Sequence, residues 1–313
     1  MRYDMTALSE KAVLVRVVGS TWRGIRTDKA IAEGAASHFD TTSDWVSGSK
    51  RLVDPEVLKA PKKILGAARN YLRGDSAGPI DGEFITGGLP TWDDKGWYIL
   101  PNALNEKVLR NLGEFRSRFD AALEDLRDEL PAAIERARDE NPNLWSADDY
   151  AGGNDDDANA AIIVAERYSF DRELDVIPDS DDIRVSASKE FVDALKAEVE
   201  GRANKRLEEV ATHTRDTVLT TLRHFADSLS EYDPENKRAT AFRDSTVNRL
   251  RELVPVVRAL NVEGDARLDQ AASDIMAVIG NRTGETLRED DEDRAVVAAK
   301  ATKLADNLSS VFN

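Results

Sequence analysis

At 313 residues the chain is long enough for one large or two modest domains with a sizeable core. It has no cysteine, which excludes a disulfide framework, a thiolate metal site and a papain-like nucleophile. The net charge of −16 argues against general binding to a phosphate backbone.

No apolar run approaches the length of a membrane span, and the N-terminus carries no charged-then-apolar signal pattern. A cytoplasmic protein with no membrane contact is therefore expected. The charge is uneven: residues 1–75 hold 13 Lys and Arg against 9 Asp and Glu, and the rest hold 30 against 50.

Ala12–Val18 is dense in valine and predicts a strand, broken at Gly19-Ser20 before Thr21–Arg26 continues extended. Thr27-Asp28 caps a short alanine-rich helix to about His38, and Asp40–Ser49 is a polar loop. Asp54-Pro55-Glu56 starts a helix that reaches about Leu72, bent near its beginning by Pro61. From Gly74 to Pro101 the chain is rich in Gly and Pro. Trp92, Trp97 and Tyr98 pin this irregular segment to the core, and Trp97–Leu100 forms a short strand.

Asn105 opens a long helix with Val108, Leu112, Phe115, Phe119, Leu123, Leu126 and Leu130 on one stripe; Pro131 kinks or divides it before it ends near Asp139. The polar stretch Asn141–Asn159 precedes a short helix at Ala160–Glu166. Tyr168, Phe170, Leu174 and Val176 then alternate with polar residues as a half-buried strand, and Ile183–Val185 is a short return strand.

Ser186–Tyr232 reads as one uninterrupted helix. Its apolar positions run Val192, Leu195, Val199, Ala203, Leu207, Val210, Val218, Leu222, Phe225 and Leu229, with Thr214 the one polar member. The period of 3.7 exceeds that of a left-handed coiled coil and predicts a straight or slightly right-handed element, ended by Pro234. Ala239–Leu260 is helical with Pro255 inside it, and Asn261–Gly264 is a turn. Asp265 caps a helix to Gly280, Thr283–Leu287 is a bridge, and the acidic run Glu289–Asp293 leads into a last helix, Arg294–Val311.

These elements predict a mainly helical α+β fold. Helices 105–139, 186–232, 239–260 and 294–311 form an elongated antiparallel bundle with one very long helix. Strands around 12–26, 97–100 and 168–185 form a small sheet at one end. The chain divides into a basic, mixed α/β segment at 1–103 and an acidic helical bundle at 104–313 that includes the strand insert 167–185; the two can also form one continuous domain.

No stretch carries recognisable chemistry. His213 and His224 are 11 residues apart on one helix, roughly 16 Å, too far to share a metal. The acidic run from Asp155 fails the calcium-loop pattern, because position 6 is Ala160 rather than glycine. Neither a phosphate-binding glycine loop nor a nucleophile elbow is present, so no catalytic, cofactor-binding or metal-binding residue is assigned. The most suggestive charge feature is a basic cluster of Lys50, Arg51, Lys59, Lys62, Lys63, Arg69 and Arg73. It serves as a solvated face, as an interaction patch for another copy's acidic body, or as a nucleic-acid contact.

Seven segments occur in a suggestive order and spacing: Trp22-Arg23-Gly24-Ile25-Arg26-Thr27-Asp28-Lys29, Ser49-Lys50-Arg51-Leu52, Ile99-Leu100-Pro101-Asn102, the Phe115/Phe119 helix, Tyr168-Ser169-Phe170, Arg243-Asp244-Ser245 and Ala259-Leu260-Asn261. Over nearly the whole chain they resemble a family of bacterial and phage proteins known only as a domain of unknown function. The resemblance implies a phage-encoded protein, found in the host cytoplasm, with genes for hexameric ATPases and von Willebrand-type adhesion domains nearby. It implies no activity and no site residue.

The expected function is that of a non-enzymatic, phage-encoded structural or assembly protein, without cofactors, that self-associates through its helices as a homo-oligomer. The alternatives are an adaptor for an AAA+ ATPase and, less favoured in so acidic a chain, a nucleic-acid accessory protein acting through residues 48–73.

Overall fold

The computed structural model describes residues 9–80, 82, 84–85, 88–177, 189–233, 244–261 and 265–312. The fold is mainly helical α+β, with long helices, a three-stranded antiparallel sheet and a separate two-stranded sheet. The chain clusters into two compact units, each assembled from separated segments. The helical unit comprises residues 1–16, 69–112 and 173–313, and the mixed unit 17–68 and 113–172.

Strand β1 (Ala12–Ser20) is the middle strand of the larger sheet, between β4 (Tyr98–Pro101) and β5 (Ser169–Asp175). Its register pairs Val13 with Leu100 and Val15 with Tyr98. Gly19 continues the strand rather than breaking it, and glycine is required there. A Cβ would stand 2.4 Å from the Ser169 carbonyl oxygen and 2.8 Å from a Leu65 methyl. Phe170 in β5 is buried, but Leu174 and, just beyond the strand, Val176 are exposed, so the alternation read in the sequence holds only at its start.

In the helical unit, α5 (Lys189–Ser230) packs against α9 (Asp291–Phe312) and α6 (Asp244–Leu260). Helix α7 (Ala266–Ile279) packs against α6 and α9. Their shared core takes Val218, Leu222, Phe225 and Leu229 from α5, Leu250 and Val257 from α6, Ala272 and Ile275 from α7, and Ala301 from α9, all buried. Each such Leu, Ile or Phe contributes about 1.5–3 kcal/mol when fully buried.

The last three residues of the acidic run form the first turn of the last helix, and Asp290 just before it accepts from the Asp293 N–H at 2.8 Å. The predicted bridge is itself a helix, α8 (Gly284–Glu289), opened by a Thr283/Thr286 capping box. Predicted elements at Ile183–Val185 and 239–243, the start of the long helix at 186–188, most of the turn at 261–264, and Pro234 lie outside the described residues.

The mixed unit holds β2 (Ile25–Thr27), α1 (Lys29–His38), β3 (Ser49–Arg51), the body of α3 (Asn105–Glu140) and α4 (Asp156–Arg167). Helix α2 (Lys59–Arg73) starts later than the sequence suggests: three i→i+3 turns from Asp54 lead into it. Pro61 is therefore in the first turn, where an N–H has no intrahelical acceptor, and no bond is lost.

Pro131 does not divide α3. Leu130, Ala133 and Ile134 are buried around it and offset the roughly 3 kcal/mol an interior proline costs. Pro255 is carried in the same way by Val254, Val256 and Val257. The stretch read as a loop before Ala160 already contains the first turn of α4. Asp155 caps it through the Ala158 N–H, and the buried Asn159 side chain bonds Gly152 N, Gly153 O and Asp155 O.

Candidate functional site

The mixed unit contains a buried cation, Lys50. Strand β3 pairs with β2 so that Lys50 lies across from Arg26. Gly48 lets β3 lie tight against the start of α1: a Cβ there would stand 2.4 Å from Ala32 N and 2.7 Å from Asp28 O. Asp28, the N-cap of α1, accepts from the N–H groups of Ala30 and Ile31. Its second oxygen lies 3.0 Å from Lys50 Nζ. Asp149 Oδ2 is 2.7 Å from the same nitrogen, and the Leu144 carbonyl oxygen accepts from it at 2.8 Å. Three oxygens thus surround this ammonium, and the Leu144 carbonyl accepts a hydrogen bond from it. Arg26 Nη1 lies 3.1 Å from the other Asp149 oxygen. Beside the network the Tyr150 hydroxyl donates to Leu52 O, and burial first, then Asp149 and Asp156, pushes its pKa up to about 12.

Burial alone would pull the Lys50 pKa down, but Asp149 and then Asp28 outweigh it and hold the ammonium above its ordinary value. Asp28 is held below the usual carboxylate range, by Lys50 first and then by the Ile31 N–H. Above the network lies a cleft of about 510 Å³, with Ile31, Val53, Ala133 and Leu144 among its walls. Arg51 and Arg136 on its lining are matched by Asp54 and Glu140, so the cleft has no strong net charge.

The predicted basic patch is only partly available to a partner. Lys50, with a side chain 7% exposed, is committed to the internal network and is removed from any such surface. Arg51 is exposed at the cleft. Lys59 is exposed and bonded to Glu56, and Lys62 and Lys63 are exposed along α2. Arg69 and Arg73 are exposed in the helical unit, where Arg73 Nε donates to the Tyr98 hydroxyl at 3.2 Å. The sequence reading missed Asp149 and the exposure of Phe39 (70%) and Trp45 (84%); both aromatics lie in or beside a polar loop with no periodicity to place them.

In the helical unit the notable surface is the first part of α5. From Leu207 onward the apolar stripe is buried at Leu207, Val210, Val218, Leu222, Phe225 and Leu229. Among the described side chains of residues 189–206 none is buried, although Phe191, Val192, Leu195 and Val199 continue the stripe. Beside it a cleft of about 410 Å³ is lined by Val199, Arg202 and Arg206 and by the 92–95 turn. That turn is held by Asp93, which accepts from Lys95 N and Trp97 N. Trp97 is half-buried under the Arg16 guanidinium, 4.4 Å from its ring centre.

His38, His213 and His224 are exposed. Among the described residues no group of three or more His, Asp or Glu is placed to hold a metal, and no helix is long and apolar enough to cross a membrane. The chain matches no family model, and no curated protein or solved structure is significantly similar to it.

Proposed function

We propose that the protein is a non-enzymatic assembly protein that associates with further copies of itself through its helices. The observation that supports this reading is the first part of α5, where Val192, Leu195 and Val199 are only half-buried although the stripe is sealed into a core further along. The attribution to a phage and to an AAA+ ATPase partner rests on the motif resemblance alone. The nucleic-acid reading loses ground, because Lys50 is buried and Lys59 and Arg73 are already bonded within the chain.

Helix-mediated association separates from docking of the basic segment in one comparison of native mass. The variant Lys59→Glu/Lys62→Glu/Lys63→Glu is expected to keep both the fold and the oligomer of the wild type, since exposed charges contribute little to stability. Loss of the oligomer in this variant alone would move the interface to the basic segment. Monomers for both proteins at tens of micromolar would overturn the proposal.

A further inference from the structure

We infer that the cleft beside β3 receives an extended, acidic peptide segment of another protein, which pairs with β3 as a third strand. The inference goes beyond the self-association reading and does not depend on it, because every residue involved belongs to the mixed unit. The Leu52 N–H donates to Gly24 O at 2.8 Å, and the Asp28 N–H donates to Gly48 O at 3.0 Å. In the register of β2 and β3, Arg26 and Lys50 are then the hydrogen-bonded pair between these two bonds. Ile25–Arg51 and Thr27–Ser49 are the non-hydrogen-bonded pairs, so Ser49 and Arg51 turn their N–H and C=O groups away from β2. Both residues are exposed, and among the described residues nothing bonds those four groups. Such an edge is a template for one more strand.

The cleft follows this edge. All three residues of β3 line it and none of β2 does. The opposite wall is one face of α3, with Ala133, Arg136, Ala137 and Glu140 spaced as i, i+3, i+4 and i+7. That wall is roughly 10 Å long at ~1.5 Å per residue, the length of about three extended residues at ~3.3 Å each. The short side chains of Ala133 and Ala137 keep the helix wall low. A groove between a strand edge and a helix suits an extended peptide: its main chain bonds the edge, and alternate side chains enter the cleft.

Charge selects the occupant. Lys50 is committed to Asp28 and Asp149, and Asp54 accepts from the Glu56 N–H at 2.9 Å. Arg51 on the strand wall and Arg136 on the helix wall have no partner among the described residues, and neither has Glu140. Two free guanidinium groups against one free carboxylate favour a peptide with an acidic side chain, which arginine holds in a fork of two hydrogen bonds. Leu144, 48% exposed, stands with Ile31 and Val53 to receive an apolar neighbour of that acid.

The test uses the full-length protein and a displayed library of random peptides of about twelve residues. Enriched peptides are synthesised and their affinities measured for the wild type, Ser49→Ala and Ser49→Pro. Proline at position 49 removes the outward N–H and leaves the bonds between β2 and β3 in place, whereas alanine keeps that N–H. The peptides are expected to carry Asp or Glu among apolar residues and to bind Ser49→Ala like the wild type. They are expected to bind Ser49→Pro about tenfold more weakly, or worse. Equal binding to Ser49→Pro, enriched peptides without an acidic residue, or no enrichment at all would overturn the inference. Amide hydrogen exchange in the wild type supplies a readout that needs no variant to fold. With peptide bound, exchange at Ser49 and Arg51 is expected to slow about tenfold or more, while Lys50, already bonded to β2, changes little. Unchanged rates at Ser49 and Arg51 would overturn the inference. So would slow exchange at both without peptide, the mark of an edge already covered by the chain itself or by a second copy.

Discussion

Leu207→Asp is expected to unfold the helical unit at temperatures where the wild type is fully folded. Leu207 is 2% exposed and is the first buried position of the α5 stripe among the described side chains. The substitution forfeits about 1.5–3 kcal/mol of apolar burial and places a carboxylate at a buried apolar position. The combined loss of at least ~4 kcal/mol is a large part of the roughly 5–15 kcal/mol that holds a domain together. Leu195→Asp is the control: the same change on the same stripe three turns earlier, at a half-buried position, with an expected effect of at most ~1 kcal/mol on the isolated chain. Melting curves of the two variants decide the matter. A Leu207→Asp protein that melts like the wild type would place the stripe in solvent and contradict the bundle core.

The second large effect is expected at Lys50→Ala. Removing this ammonium leaves Asp149, whose side chain is 6% exposed, with Arg26 as its remaining ionic partner, and it strips the Leu144 carbonyl of its donor. Breaking a buried ion pair from one side costs about 3–5 kcal/mol, because the other charge stays buried without its partner. Urea unfolding of the mixed unit is expected to show a loss of about 3 kcal/mol. Adding Asp149→Asn should recover part of it, since the uncompensated charge is then gone.

The pH dependence has a definite sign. Asp28 has a folded pKa below its unfolded value, so its contribution is present above about pH 4 and is lost as pH falls through the folded value. Lys50 has a folded pKa above its unfolded value of about 10.4, so its contribution is complete below that pH and is lost only as pH rises through the folded value. Acid should therefore weaken the wild type more steeply than Lys50→Ala; parallel acid profiles would show that the network does not couple to Asp28.

Much of this was legible in the sequence, and the exceptions have physical causes. The periodicity of α3, α5 and α7 and the capping carboxylates Asp28 and Asp265 read directly, because a helix writes its face and its start into local spacing. Strand β3 did not, since Ser49-Lys50-Arg51 has no apolar residue; it forms because β2 offers backbone partners and Gly48 permits the close approach. Lys50 read as part of a solvated face for the same reason. Its strongest partner, Asp149, is 99 positions away in a segment with no pattern to announce it. The half-buried start of α5 has the same stripe as its buried remainder, so local spacing does not show where burial begins.

Sedimentation equilibrium of the full-length protein from about 1 to 200 μM tests the central claim most directly. Self-association through α5 predicts a weight-average mass that rises with concentration from the 34.6 kDa chain toward at least twice that value. It also predicts that the rise disappears in Leu195→Glu/Val199→Glu, which keeps the helical content of the wild type. A constant 34.6 kDa across the whole range would contradict the account.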